Sequence, residues 1–481
     1  MTYNENTQVK KNIIIIGAGL AGLTCAKILS DGGAKVIILE KQKTIGGLVS
    51  GIKENGFSMD IGPHYMVLPK KSTITSEIQN ILGEGNLLEF PNFIQSHRAY
   101  FSGKVLEQFP SLKNTIASNG ISFIFRVICQ ILKANIKKMF RKEKSNSGQE
   151  YLKNNYGKLL YECWFKPYYS NIFLDEDLPK EYVERQFPPP TLKKIWSFLF
   201  SRNMKQDKTK NGNGDQIYFN CYPKFGMVDL IDKLKNHVLT KGGEIILNAE
   251  IQTISHKKNE KKIMYIKDEN EFQLRPDVII YGVPPSISLR WFENVPNDIL
   301  VCGRKSLAYN SIMIYFFVNL EKIFDGWIIN IFDPNLIFSR ISQQNYLSKH
   351  IAPEGKSLLA IEIKCNPTDE VWESSDEKIS IVVKNDLEKM NFFDCQKIYD
   401  YKIIRIPCVY PKFNTIEFND QKVVNYINSY DDEYALSHEF DSSELISETV
   451  VDFQDKKDHR LGGMLVTMFG AHSLAQKILN D

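Results

Sequence analysis

Apolar and polar positions alternate in blocks along the first 66 residues of the chain. Residues 13–16 are four isoleucines, a β-branched run that is typical of a buried parallel strand. The sequence GAGLAG follows at 17–22, and small and apolar residues continue to Leu29, which predicts a tight turn and then a helix. A second apolar run, AKVIIL at 34–39, predicts another strand. Residues 12–66 therefore predict a β-α-β unit followed by a glycine-rich loop.

Two interpretations compete for this N-terminal pattern. One is a secretory leader, but Leu23 and Thr24 precede Cys25, where a lipoprotein-type leader needs small residues. The apolar run also ends early, at Lys27. The other interpretation is a strand, a turn and a helix that together hold a dinucleotide, and the local chemistry favours it.

Each glycine of the GAGLAG turn has a separate role in such a site. Gly17 permits the tight turn, Gly19 lets the backbone approach a pyrophosphate, and Gly22 lets the helix pack on the strand. The free N–H groups at the helix start attract phosphates, and the helix dipole adds to that attraction. Glu40 ends the second strand, where an acid can bind a ribose 2′-hydroxyl.

Further elements along the chain predict two discontinuous domains. They are a helix over 226–240, strands over 245–247 and 251–254, a hairpin of 262–266 and 272–274, and a buried strand over 312–318 that starts a second sheet. We predict an α/β fold whose Rossmann-type domain comprises 1–90, 220–290 and 441–481. The predicted α+β substrate domain comprises 91–219, which is helical and basic, and 291–440, which carries a mixed sheet.

The composition is that of an ordinary globular enzyme. The 481 residues suggest two to three domains. A net charge of +3 gives no general attraction to nucleic acid, so no nucleic-acid partner is predicted. The eight cysteines are scattered without metal-type spacing, which indicates reduced thiols in a cytoplasmic protein and no metal site. No apolar run of about 20 residues occurs, so no spanning helix is expected.

A second group of glycines indicates which dinucleotide is bound. Gly46 and Gly47 follow closely behind Glu40, and Gly62, Pro63 and His64 come next. FAD binds in an extended form, so its ribityl chain and ring need close backbone, which glycines allow. The alternative is that these glycines form plain turns. Taken together and in this order they predict FAD.

Four longer segments resemble the flavin-dependent amine oxidase and protoporphyrinogen oxidase superfamily. That superfamily also includes phytoene desaturases and is related to UDP-galactopyranose mutase. The similar segments are YGKLLYECWFKPYYSNIF at 156–173, YFNCYPKFGMVDLIDKL at 218–234, GGEIILNAEIQTI at 242–254 and DVIIYGVPP at 277–285. The resemblance implies a Rossmann-type FAD-binding domain of the GR2-like kind and an enzyme that withdraws a hydride from a C–N or C–C bond of a small-molecule substrate.

The same resemblance implies a set of site residues. It places the backbone of Ile251 at the adenine and His64 at the flavin ring, where His64 would hydrogen-bond the flavin or relay a proton, or else form only a structural hydrogen bond. Arg340, Tyr410 and Arg185 match positions around the substrate cavity, and Arg340 would bind an acidic substrate group or form a salt bridge within the sheet. The remaining cofactor contacts are Leu20, Ala21, Lys41, Leu48, Gly62, Pro63, Gly282, Asp458 and His459.

The C-terminal segment departs from the superfamily pattern. Relatives usually carry a Gly-Arg pair shortly before the last helix, but no glycine occurs between Gly355 and Gly462. Asn171 also stands near a position where relatives often have lysine. Two alternatives to the oxidoreductase therefore stay open: a flavoenzyme that acts on a nucleotide sugar, like UDP-galactopyranose mutase, and a flavin-binding protein without turnover.

Two basic stretches, 121–144 and 193–210, allow two interpretations. In the first, apolar residues from Ile121 to Met139 form one helical stripe and basic residues form another. One interpretation is contact with an anionic membrane at the inner face, or capture of a lipid-linked or anionic substrate. The other is a helix packed in the substrate domain by its apolar stripe, with a solvated basic face.

Overall fold

The structure is a computed structural model. It describes residues 11–90, 97–101, 103–107, 120–140, 147–173, 178–180, 183–184, 187–189, 218–257, 260–304, 308–411, 420–436 and 463–480. Within these ranges, no helix is both long and apolar enough to cross a membrane.

The strands and helices follow one another in a mixed order. The strands are β1 (Asn12–Ile16), β2 (Lys35–Leu39), β3 (Gly51–Glu54), β4 (Phe57–Asp60), β5 (Met66–Pro69), β6 (Leu87–Glu89), β7 (His97–Phe101), β8 (Lys104–Glu107), β9 (Tyr218–Pro223), β10 (Glu244–Ile246), β11 (Glu250–Lys257), β12 (Glu260–Lys267), β13 (Asn270–Leu274), β14 (Val278–Tyr281), β15 (Ala308–Val318), β16 (Ile328–Ile331), β17 (Arg340–Gln343), β18 (Ser357–Cys365), β19 (Ile398–Pro411) and β20 (Glu433–Ala435). The helices are α1 (Leu20–Asp31), α2 (Thr73–Leu82), α3 (Ile121–Phe140), α4 (Gly148–Tyr156), α5 (Lys158–Leu160), α6 (Lys166–Phe173), α7 (Met227–Thr240), α8 (Pro285–Ser288), α9 (Asn297–Arg304), α10 (Glu370–Glu373), α11 (Asp376–Met390), α12 (Asp420–Ile427) and α13 (Gly463–Asn480).

A five-stranded parallel sheet forms the centre of the first unit, in the order β10-β2-β1-β14-β20. The isoleucine strand β1 lies in the middle, so both of its faces are covered. Ile13 and Ile15 join a core on the side of α1, α7 and α13, whereas Ile14 and Ile16 join a core on the side of β11 and β12. Because successive side chains of a strand point to opposite faces, a strand covered on both sides must be apolar throughout.

The second unit is built on a seven-stranded mixed sheet, in the order β19-β15-β18-β17-β16-β7-β8. Neighbours in this sheet are antiparallel except for β16 and β7, which are parallel. One face packs against α11 through Leu359, Ile361 and Ile363. The opposite face meets the first unit, because Leu358 and Ala360 pack in one cluster with residues of β4. The first unit thus lies directly on one face of the mixed sheet.

Smaller elements complete the described structure. Strands β5, β9 and β6 form a three-stranded antiparallel sheet, and β11, β12 and β13 form another. Strands β12 and β13 form the hairpin that the sequence predicts, and its turn lies at Asp268 and Glu269, which both have a positive φ. Helices α3 to α6 form a helical unit that includes one π-helical turn at Tyr161–Phe165.

The observed architecture confirms the predicted α/β class with a Rossmann-type parallel sheet. The division into domains stays a prediction, and one part of it differs from the observed pairing. Strand β20 pairs in parallel with β14, and α12 packs against α8 and α9, so 420–435 lies beside the parallel sheet although the sequence-based division gives it to the substrate domain. A strand of three residues carries too little periodicity to be assigned to a sheet from sequence.

Candidate functional site

The first glycine loop is shaped by close backbone contacts at its two ends. Gly17 has φ +102°, and a Cβ there would lie 2.8 Å from a methyl carbon of Val283. A Cβ on Gly22 would lie only 2.1 Å from the carbonyl oxygen of Gly17. Gly282 passes beneath the same turn, where its N–H donates to the carbonyl of Ile16 at 2.8 Å. These contacts exclude a side chain at Gly17 and Gly22 and hold α1 tightly against β1.

Gly19 differs from its neighbours, because a Cβ built there has no atom within 4 Å. Gly19 is the N-cap of α1, and no side chain caps that helix start. The first turn, which begins with Leu20 and Ala21, also contains no acidic residue. A helix start with open N–H groups, an open space in front of it and no acidic residue in its first turn fits a phosphate group.

A second glycine loop lies directly beside the first. The N–H of Gly46 donates to the carbonyl of Ala18 at 2.8 Å, and Gly46 pairs with Gly19 as an isolated parallel bridge. Gly46 and Gly47 both have a positive φ, and a Cβ on Gly47 would lie 3.3 Å from the Cα of Gly19. Leu48, the next residue, is exposed. The sequence separates these loops by more than 20 residues, and the fold brings them into contact.

Glu40 lies at the carboxyl end of β2 and is held by backbone donors. One carboxylate oxygen accepts the N–H of Ala18 at 2.8 Å, and the other accepts the N–H of Gln42 at 2.8 Å. Each carboxylate oxygen has a second acceptor site, so a ribose hydroxyl can still bind there.

Lys41 and the start of β11, which contains Ile251, lie next to Glu40. The N–H of Ala249 donates to the Glu40 carbonyl at 2.8 Å, which sets the start of β11, and Lys41 forms an ion pair with Glu250 at 2.7 Å. Ile251 follows directly in β11 and is buried. The structure thus brings the predicted ribose and adenine residues together, and these residues and both glycine loops fit a dinucleotide.

The third predicted loop, with Gly62, Pro63 and His64, follows β4. Gly62 has φ +89°, and His64 folds back so that its Cε1 lies 3.3 Å from the position of a Gly62 Cβ. The Nδ1 atom of His64 is buried without a hydrogen-bond partner. Burial, and then the nearby charge of Arg340, lower the pKa of His64 to about 4. An imidazole with that pKa is neutral at pH 7, which favours a hydrogen-bonding role over a proton relay.

Asp60, at the end of β4, connects this loop to three other elements. Its carboxylate accepts the Tyr222 hydroxyl and the N–H of Met227, the latter at 2.9 Å. Its carbonyl accepts the Tyr315 hydroxyl at 2.7 Å and the side-chain amide of Gln344 at 2.9 Å. Burial raises the pKa of Asp60 to about 6, although the hydrogen bonds from Tyr222 and Met227 act in the opposite direction. Asp60 therefore fixes the third loop to β9, α7 and the mixed sheet.

A cluster of charged side chains lies on the face of the mixed sheet that meets the first unit. Arg340 and Glu362 form a salt bridge across β17 and β18, with a 2.9 Å bond from the Arg340 Nε and a second bond from Nη2. The Ser311 hydroxyl donates to the other Glu362 oxygen at 3.4 Å. Lys364 is two residues further along β18, and burial lowers its pKa to about 8. The charges of Arg340 and Glu362 both act on the pKa of His64, which indicates that the third loop lies close to this charged cluster.

The structure places the other predicted site residues only in part. Tyr410 lies in β19 opposite Tyr309, but its side chain is outside the described residues. Arg185, Asp458 and His459 also lie outside them. Asn171 donates its side-chain N–H to the carbonyl of Ile331 at 3.0 Å, which joins α6 to the mixed sheet. For Arg340, the observed ion pair is the salt bridge within the sheet; a role toward substrate stays a prediction.

Two features of the site were missed by sequence reasoning. Asp60 precedes the Gly62 turn, yet its sequence position does not reveal the four partners that its carboxylate and carbonyl bind. Glu362 and Lys364 did leave a signal, because they alternate within the otherwise apolar run LLAIEIKC. Two charges on one face of a strand that is buried at every position indicate a paired or functional cluster.

The sequence matches a known domain family over its N-terminal part and known proteins over most of its length. A model of the NAD(P)-binding Rossmann-like domain matches residues 15–79. The chain is 24% identical over 400 residues to a 4,4′-diapophytoene desaturase (4,4′-diapolycopene-forming) of Methylomonas sp, which covers 73% of this chain and 72% of that protein. It is 20% identical over 438 residues to a 4,4′-diapolycopen-4-al dehydrogenase of Metabacillus indicus, which covers 82% of this chain and 83% of the relative.

Solved structures share the fold over almost the whole chain. Reduced UDP-galactopyranose mutase superposes with a TM-score of 0.73 at 17% identity and covers 98% of this chain and 96% of its own. A proposed protoporphyrinogen oxidase from Exiguobacterium sp. 255-15 superposes with a TM-score of 0.70 at 16% identity and covers 98% of this chain and 99% of its own.

The matched domain, the relatives and the fold support the flavin amine oxidase-like superfamily for this chain, which confirms the resemblance inferred from the sequence. The chain thus resembles these two oxidoreductases in sequence over most of its length, and it shares its fold with the mutase and the proposed protoporphyrinogen oxidase. The matched Rossmann-like domain includes both glycine loops, at 17–22 and 46–47.

Proposed function

We propose that the chain is an FAD-dependent oxidoreductase that withdraws a hydride from a C–N or C–C bond of a small-molecule substrate. The observation that carries the proposal is the contact between the two glycine loops at Gly19 and Gly46, in front of an uncapped helix start. One glycine loop suffices for a phosphate. A second loop at the same place offers the extra backbone that an extended FAD molecule needs.

In this proposal each part of the site has a separate task. The N–H groups at the start of α1 hold the pyrophosphate, and Glu40 accepts a ribose hydroxyl. The third loop presents His64, whose buried Nδ1 supplies a neutral hydrogen-bonding atom. When bound, the flavin would accept the hydride, and the protein would place the substrate against it.

The charged face of the mixed sheet supports a substrate with a polar or anionic group. Lys364 is buried and, with a pKa of about 8, carries a proton at neutral pH. Arg340 lies beside it and is paired with Glu362. Cations on this face can bind a polar or anionic substrate group through charge-assisted hydrogen bonds.

The first test identifies the cofactor and the redox activity. We expect heat-treated protein to release FAD, identified by chromatography, and anaerobic addition of the true substrate to bleach the flavin absorbance. Release of NAD alone, or no nucleotide even after soaking with FAD, would contradict the cofactor assignment. Retention of FAD with no bleaching by amines, amino acids or polyenes, and no conversion of a nucleotide sugar, would support a flavin-binding protein without turnover.

The second test concerns the substrate group. In Lys364→Met we expect KM for the bleaching substrate to rise by roughly 10- to 150-fold with flavin occupancy unchanged, because a charge-assisted hydrogen bond is worth roughly 1.5–3 kcal/mol. Lys349→Met, which removes an exposed lysine, is the matched control and should leave KM unchanged. An unchanged KM in Lys364→Met would remove Lys364 from the substrate site.

A second candidate function is an isomerase of the nucleotide-sugar type, like UDP-galactopyranose mutase. The half-buried Arg340 and the buried Lys364 favour it, since a nucleotide diphosphate needs cations. The two functions differ in electron balance. A mutase would convert UDP-galactopyranose only after chemical reduction of the protein and without net redox change, whereas the proposed oxidoreductase would reduce its own flavin with substrate alone.

A further inference from the structure

Helix α3 presents an apolar ridge to solvent. Ile121 is 74% exposed, Phe125 67%, Ile136 57% and Leu132 38%. These residues lie at helical spacing on one side of α3, since positions three, four or seven residues apart share a face. Four large apolar side chains on one exposed face are unusual for a helix that only packs in a domain.

The orientation of this ridge is fixed by the packing of the opposite side. Val127 and Ile131 are both only 8% exposed. Next to them, the Gln130 side chain accepts the N–H of Leu159 at 2.9 Å, and a Cβ on Gly157 would lie 2.6 Å from Gln130. Because α3 is held to α4 and α5 through this side, the apolar stripe predicted from the sequence does not serve as the packing face.

Positive charge is concentrated in the same helical unit. Residues 121–173 contain ten basic and three acidic residues, a net charge of +7, whereas the whole chain carries only +3. Helix α3 itself has four basic residues and no acidic one. Among them, Arg126 and Lys133 are exposed. The rest of the chain is therefore slightly acidic, and the attraction for anions is local to this unit.

We propose that α3 lies on an anionic lipid surface, with the ridge of Ile121, Phe125, Leu132 and Ile136 inserted at the boundary between headgroups and acyl chains. Arg126 and Lys133, which are exposed on α3, would then lie among the negative headgroups. An apolar ridge beside basic residues is the composition of helices that lie in the membrane interface. Nucleic acid shares the negative charge but offers no apolar layer for the ridge. The proposal does not depend on the redox function.

Vesicle sedimentation of the full-length protein tests this proposal. With vesicles of phosphatidylcholine and phosphatidylglycerol we expect binding at low salt, and little binding to phosphatidylcholine alone. Raising salt from about 0.1 M to about 1 M shortens the screening length from about 10 Å to about 3 Å, so binding should weaken strongly. The Lys133→Gln variant should bind about fivefold more weakly, since one basic residue near such a surface contributes about 1 kcal/mol.

Variants of the ridge separate insertion from simple charge attraction. Phe125→Ser should weaken vesicle binding by about tenfold or more, because it removes a large side chain from the acyl boundary. Ile381→Ser is the matched control: Ile381 is also exposed, at 53%, but lies on α11. Thermal melts should show that all variants fold.

Three results would overturn the proposal. Equal binding to neutral and anionic vesicles would exclude the charge contribution. Equal loss in Phe125→Ser and Ile381→Ser would exclude a specific ridge. Dimerisation in size-exclusion chromatography that Phe125→Ser abolishes, without any vesicle binding, would assign the ridge to a second copy of this chain.

Discussion

Replacing Asp60 with asparagine should raise the free energy of unfolding relative to wild type, and this difference should grow as the pH rises. Burial raises the pKa of the Asp60 carboxyl to about 6, whereas its usual value is about 3.9. A difference of roughly two pKa units at about 1.4 kcal/mol each amounts to about 3 kcal/mol. Asparagine avoids this cost because it never ionises, and its oxygen can still accept the N–H of Met227 while its amide donates to the Tyr222 hydroxyl.

The sign follows from the protons that each state binds. Between about pH 3.9 and about pH 6 the native state keeps a proton on Asp60 that the unfolded state has released. The contribution of Asp60 to stability is therefore largest at low pH and is lost as the pH rises through that window. In Asp60→Asn this loss is absent, so the free energy of unfolding of the variant should gain about 3 kcal/mol on wild type across the window.

Urea unfolding followed by tryptophan fluorescence, from about pH 4 to about pH 8, measures this difference. Comparison with wild type at each pH cancels the other titrating groups. Asp60→Ala is the control, because it leaves the Tyr222 hydroxyl and the Met227 N–H unpaired and should lose roughly 1–3 kcal/mol for each. A difference between Asp60→Asn and wild type that does not change with pH, or that changes in favour of wild type, would refute the reasoning.

Two further predictions concern the buried carboxylates of Glu362 and Glu433. Glu362→Gln removes the negative charge that pairs with Arg340 but keeps an oxygen that can accept its hydrogen bond, so we expect a loss of roughly 1–3 kcal/mol in the free energy of unfolding, measured by urea titration; an unchanged free energy of unfolding would contradict the pairing. Glu433→Leu orphans His256 and the Tyr281 hydroxyl, which bind that carboxylate at 2.6 Å and 2.8 Å, so β20 should detach and its amides should exchange hydrogen faster than those of β14; unchanged protection of β20 would contradict this account.

The parallel sheet and the first glycine loop could be predicted from sequence because their signals are local. The isoleucine run requires burial on both faces, and each glycine of the GAGLAG turn matches a contact that excludes a side chain or leaves room for a phosphate. The contact between Gly19 and Gly46 was not predictable from spacing, since it depends on how the second loop returns to the first.

Polar contacts between residues that are far apart in the chain could not be predicted from the sequence. Asp60 and Gln344 are 284 residues apart, and only the folded arrangement shows that they bind each other. The sequence also left open whether the apolar stripe of α3 packs within the domain or faces outward. Val127 and Ile131 carry the packing, because Gln130 and Gly157 fix the helix on that side.

The flavin content of purified Gly19→Val, measured by absorbance per protein beside wild type, tests the central claim most directly. The backbone of Gly19 is extended, with φ −72° and ψ 178°, and its Cβ position is empty, so valine should fold there without strain. We predict a folded protein without FAD, whose thermal stability matches that of wild type stripped of flavin. The lost linkage would be about 4 kcal/mol at a ligand concentration 1,000 times Kd. Full flavin occupancy in Gly19→Val would contradict the claim that GAGLAG holds the pyrophosphate.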